Sequence, residues 1–112
     1  MNTLITFDEF SKIDCRIGTI IEIQDFPKAR LPAYKLTIDF GHLGIKRTSA
    51  QITALYKKEE LLNKQIVAVV NFPKKQIGPY MSECLVTGFT QPDGSIILAV
   101  PHKGALNGSR LA

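Results

Sequence analysis

Strict two-residue alternation in three successive stretches constrains this chain more than any other feature. In residues 15–23, Cys15, Ile17, Thr19, Ile21 and Ile23 share one face, and Arg16, Gly18, Ile20 and Glu22 share the other. Tyr34, Leu36, Ile38 and Phe40 then alternate with Lys35, Thr37 and Asp39, which places Tyr34 and Phe40 on the core side. Residues 45–52 set Arg47, Ser49 and Gln51 on one side of a third strand. A loop at 24–33 with two prolines and a turn framed by Gly41 and Gly44 separate the three. Gly18, inside a strand pattern, marks a bend or bulge.

The period then changes. Residues 53–63 (TALYKKEELLN) carry their apolar side chains at helical spacing, with Asn63 as the stop. Residues 66–70 form a short apolar, β-branched run that predicts a buried strand. A loop at 72–80 leads to a fifth strand over 82–89, and Pro92-Asp93-Gly94 turns the chain into a hairpin strand at 96–100. Near the start, Thr6 and Glu9 stand at capping-box spacing and predict a short helix over 6–12. Its Phe7 and Phe10 share a side that either plugs a barrel end or meets a partner. This order predicts an all-β fold with minor α: a five-stranded OB-fold Greek-key barrel with a helix between strands 3 and 4. The 112 residues fit a single domain, with a helical segment at 1–13, the barrel at 14–90 and a C-terminal strand extension at 91–112.

Composition removes several function classes. No apolar run approaches the roughly 18–20 residues of a membrane span. The early acids Asp8 and Glu9 are unlike a secretory signal, so a cytoplasmic protein without membrane insertion is expected. Cys15 and Cys84 make no disulfide framework and read as buried core residues. His42 and His102 are the only histidines, and nothing places either beside a nucleophile or in a metal-ligand pair. The expectation is no enzyme, no cofactor and no metal. A barrel this small has little interior for chemistry, so its function belongs on its surface.

Charge locates two candidate surfaces. The net charge of +4 is uneven: residues 1–25 carry two basic and five acidic side chains, residues 26–80 ten and three, and residues 81–112 two of each. A middle segment at +7 either forms a face for a polyanion or simply solvates the surface. Lys46, Arg47, Ser49 and Gln51 on the third strand, Asn71, Lys74 and Lys75 after the fourth, and Arg16 on the first form the candidate nucleic-acid face. The connections around Phe26, Leu31 and Pro32, and around Phe72, Ile77 and Tyr80, are unusually apolar for loops. They form a candidate peptide groove or a dimer contact.

Specific segments carry a resemblance. Asp14-Cys15-Arg16-Ile17-Gly18-Thr19-Ile20 resembles the D-x-R-[VI]-G-x-[IV] opening of the tRNA-binding domain family. That family includes free-standing bacterial proteins and modules appended to aminoacyl-tRNA synthetases. Leu36 to Gly41, Arg47 to Ile52, Val70-Asn71-Phe72-Pro73, Gly78 and Ser82 follow in family order, nearly the whole chain. Ser82 joins the nucleic-acid set through this match. Phe26 and Ala50 stand where appended modules carry histidine and glycine, which makes the chain similar to the family's export-related chaperones. The resemblance implies a homodimer with its interface built from terminal additions. It also implies unfolded or precursor polypeptides as clients, the preprotein translocase motor as a partner, and tRNA as a further ligand.

Overall fold

Thr6 opens the first element. Its hydroxyl accepts the Glu9 N–H at 3.1 Å and its own N–H donates to Glu9 Oε1 at 3.0 Å, the two halves of a capping box. Helix α1 follows at Phe7–Ser11. None of its residues is buried, and Phe7 is 75% exposed, so these aromatics plug nothing within this chain. The computed structural model describes residues 3–112; Met1 and Asn2, at the start of the expected helical segment, lie outside the described residues.

Strand β1 (Cys15–Asp25) serves two neighbours. Its first half pairs antiparallel with β4 (Gln65–Val69), and its second half pairs with β2 (Tyr34–Asp39). The register breaks between Ile20 and Glu22, not at Gly18. One extra residue there reverses the strand's phase. Before the break Gly18 and Ile20 face inward, Ile20 fully buried; after it the inward position passes to Ile23, which packs beside the core, and Ile21 is pushed out. This corrects the expectation that Ile20 lies on the polar face. Gly18 answers a different need: a Cβ there would stand 2.5 Å from Ile38 Cγ2 and 2.7 Å from Phe40 Cε1.

The alternation in β2 holds throughout. Leu36 and Ile38, with Phe40 just beyond the strand, meet Ile20, Ile66 and Ala68 in one core cluster. A 3-10 turn at Gly41–Leu43 leads to β3 (Ile45–Ala50), antiparallel to β2. With β7 at Leu85–Val86, the sheet order is β3-β2-β1-β4-β7. The sheet curls into a nearly closed five-strand antiparallel barrel, an OB-fold.

Elsewhere the chain departs from expectation. The helix expected over 53–63 shrinks to α2 (Lys58–Leu61). Tyr34 Oη donates to the Tyr56 carbonyl at 2.7 Å, and Tyr56 Oη accepts the Leu98 N–H at 3.0 Å. Tyr56 is thus fixed to the barrel, Lys57 stays extended, and the helix starts only after it. The expected loop at 72–80 contains a hairpin, β5 (Lys75–Ile77) with β6 (Tyr80–Ser82). Gly78 takes φ 57°, as a type II′ turn requires at its first central residue, and Pro79 fills the second. The fifth strand splits because Thr87 changes partners: its N–H donates to the Val67 carbonyl while its own carbonyl accepts from Ala99. After it, β8 (Gly88–Thr90) pairs with β9 (Ile96–Leu98) across the expected turn.

The last segment returns to the first strand. The Gly108 N–H donates to the Ile17 carbonyl at 2.7 Å, the Ile17 N–H to Ser109 and the Leu111 N–H to Cys15. This tail covers the edge of β1 that β2 leaves bare.

Candidate functional site

The edge of β3, the connection from Ala29 to Ala33, the β5–β6 hairpin and the β7–β8 segment enclose a cleft of about 620 Å³. That size falls in the usual range for ligand sites, roughly 300–1,000 Å³. Six expected site residues line it: Ser49, Gln51, Lys75 and Ser82 from the nucleic-acid set, Leu31 and Ile77 from the peptide set. The two sets, assigned to separate surfaces from the sequence, share one cleft.

Its base is a small polar network. Thr48, only 1% exposed, places Oγ1 2.7 Å from both Ser82 Oγ and the Cys84 carbonyl. Beside it the Glu83 N–H donates to the Arg47 carbonyl at 2.8 Å, and the Arg47 N–H donates to Glu83 Oε1 at 2.9 Å. Lys74 Nζ lies 3.6 Å from Glu83 Oε2, so a carboxylate already faces part of the basic patch. Alternation turns Lys46 to the side of β3 opposite Arg47. Neither Thr48 nor Glu83 was singled out from the sequence. Their partners meet only because the β5–β6 hairpin brings Ser82 to Cys84 back against β3, and its Gly-Pro turn reads as loop in the sequence.

Burial decides the state of Cys84. It pushes the thiol up to about 12, against a smaller opposing pull from Lys46. The folded protein therefore keeps this thiol protonated while an unfolded chain loses the proton near the ordinary thiol range. Stability contributed by the neutral thiol is whole below that range and falls as pH climbs through it toward 12. Alkylation by iodoacetamide at pH 8 is expected to spare Cys84 in native protein and to modify it in urea, as read by mass spectrometry.

Other expected site residues lie apart from the cleft. Arg16 donates through Nε to Asp14 Oδ1 at 2.6 Å and through Nη1 to the Gly108 carbonyl at 2.9 Å, tying β1 to the tail. Asn71 donates to the Lys12 carbonyl at 2.6 Å and accepts the Asp14 N–H at 3.0 Å, tying α1 to the barrel. Phe26 is 5% exposed and packs edge-on against Tyr80, ring centroids 5.4 Å apart, with Lys35 Nζ 5.6 and 5.5 Å from the two rings. Phe26 thus supports Tyr80 from beneath and offers little surface of its own. Pro32 and Phe72 are exposed but do not line the cleft.

The family described as "Putative tRNA binding domain" matches residues 15–110. The chain belongs to the tRNA-binding domain family. Methionine–tRNA ligases of Bacteroides fragilis and Pyrococcus furiosus are 34% and 36% identical over 108 residues, 96% of this chain. The chain spans only 16% and 14% of those ligases. Two solved structures match over nearly the whole of this chain. Chaperone CsaA from Bacillus anthracis is 44% identical with a TM-score of 0.93, covering 98% of this chain and 100% of that one. The CsaA chaperone protein from Picrophilus torridus is 53% identical with a TM-score of 0.90, covering 97% and 100%. Among the described residues of this family member, no group of three or more His, Cys, Asp or Glu is placed to hold a metal. No described helix is long and apolar enough to cross a membrane.

Proposed function

We propose that this protein is a non-enzymatic molecular chaperone that binds unfolded or precursor polypeptides and assists protein export. The observation that carries this reading is the likeness to two CsaA chaperones over 97–98% of this chain and the whole of theirs. The cleft supports it: Leu31 and Ile77 in its lining, with Pro32 next to the first and Tyr80 paired with the second, offer apolar surface to an extended client. Passing the client to the preprotein translocase motor in the cytoplasm would follow. The test is aggregation of a chemically unfolded protein, followed by light scattering. Stoichiometric amounts of the chain are expected to suppress scattering, and Leu31→Ser with Ile77→Ser to suppress it less while melting normally. Unchanged scattering with the native chain sinks the reading.

A second reading rests on the family match: tRNA held by Lys75 in the cleft and by Arg47 and Lys74 beside its base, with Ser49, Gln51 and Ser82 near the bases and Lys46, on the opposite side of β3, taking no part. Retention of total tRNA in a low-salt gel shift, lost steeply as salt rises, would favour it. Arg16 and Asn71 are already bonded within the fold and would take no part.

The protein would act as a homodimer. Phe7, Ile13 and Leu111 are exposed and line one apolar surface depression built from both terminal segments, and Leu4 and Leu106 on the same segments are 92% and 84% exposed. A patch of that kind marks an association site. Sedimentation is expected to give twice the 12.4 kDa chain mass, and Phe7→Asp to give the monomer with unchanged circular dichroism. A monomeric native protein would refute this.

A further inference from the structure

The barrel is unsealed where β3 faces β7. Arg47 is the last residue of β3 whose backbone bonds across this seam; beyond it, among the described residues, no backbone hydrogen bond joins the two strands. Because the Arg47 N–H and carbonyl point across the seam, alternation turns those of Ser49 the same way. The Ser49 N–H meets no partner there, and its carbonyl accepts only from the neighbouring Thr48 hydroxyl at 3.2 Å. On the facing wall, Thr87 bonds back to β4, so the N–H and carbonyl of Val86, one residue earlier, point away from β4 and into the cleft. They too are unmet. The cleft of about 620 Å³ lies between these two bare edges.

We propose that an extended polypeptide segment occupies this cleft as an added strand, paired through its backbone with the Ser49 edge of β3. The inference rests on the client-binding reading and names how the client is held. A strand supplies alternating donors and acceptors along each edge, which is what Ser49 and Val86 lack. A phosphodiester chain carries acceptors without that alternation. Successive side chains of the strand point to opposite faces, and Leu31 on one rim and Ile77 on the other offer apolar contact to them. Arg30 and Lys75 are the charged residues of the lining, and no carboxylate is among them, so the strand it takes is neutral or acidic. Backbone pairing asks little of a client's sequence, which suits a protein that must hold many different chains.

The test uses a fluorescein-labelled peptide of alternating valine, threonine and glutamate, and its analogue with backbone esters replacing the central amides. The ester analogue loses N–H donors without gaining bulk and is expected to bind about tenfold more weakly or worse. Hydrogen exchange at the Ser49 amide, followed by NMR, is expected to slow when the parent peptide binds. Ser49→Pro removes that donor at a position where the N–H takes no part in pairing with β2, and is expected to lose peptide while keeping the fold. If the ester analogue binds as tightly as the parent and Ser49 exchange is unchanged, clients are held by side chains alone and strand addition is overturned, with the client-binding reading intact. If the parent peptide does not bind at all, that reading falls and strand addition falls with it. Protection of Ser49 by total tRNA but by no peptide would give the cleft to nucleic acid and overturn the proposal.

Discussion

Phe40→Ala is expected to remove about 3–5 kcal/mol of folding stability, a large share of the roughly 5–15 kcal/mol that holds a domain of this size. Phe40 is the largest fully buried side chain, with no exposed surface, and truncating it leaves a void that Ile20, Ile38 and Ile66 are too fixed to fill. The ring also explains Gly18, whose missing Cβ leaves room for Phe40 Cε1 and Cδ1. Gly18→Ala overpacks that spot and should cost about 1–3 kcal/mol by itself. In the Phe40→Ala background the same change should cost less, because the two ring atoms it collides with are gone and only Ile38 Cγ2 remains in the way. Urea unfolding followed by circular dichroism would measure all four corners of the cycle. Additive losses would show that the strain at Gly18 has another source.

The second large effect is expected at Thr48→Val. The swap keeps the shape and removes one hydroxyl, yet that hydroxyl bridges Ser82 Oγ and the Cys84 carbonyl at 2.7 Å each in a buried position. Ser82 reaches the Cys84 carbonyl only at 3.3 Å, so it covers the loss poorly. A loss of about 1–3 kcal/mol is expected, with the cost coming from polar groups left unmet and not from packing. Because this bridge and the Arg47–Glu83 pair are what holds the seam at its closed end, exchange of the Glu83 amide should quicken more than that of core amides such as Leu36. Equal change at both would mean the bridge adds only to global stability.

Local pattern made β2 fully readable, since its six residues face one core and one solvent side with no change of partner. β1 was readable in extent but not in phase. The bulge at Ile21 exists because one strand must hand over from β4 to β2, and that demand comes from residues far along the chain. The same limit governs the site. Phe26 sits in a proline-containing connection that reads as surface, yet Tyr80, distant in sequence, folds over it. Arg16 read as a free cation, although Asp14 stands two residues earlier on the same side of the chain and could have signalled the ion pair. Ser49, Gln51, Lys75, Leu31 and Ile77 were found as residues, but their convergence on one cleft depends on the hairpin that the Gly78-Pro79 link makes.

The tail that lies along β1 has a consequence for synthesis. Arg16 and Gly108, 92 residues apart, meet through the same contact that lets Ile17 bond to residues 108 and 109. Strand β1 is therefore completed only by residues made some 92 positions later. Until residues 108–111 emerge and dock, one edge of β1 stays bare, and a bare edge pairs readily with neighbouring chains. Contacts across so long an interval also slow closure of the barrel. Nascent or refolding copies at high concentration thus pass through a stage in which this edge is open to pairing with other chains.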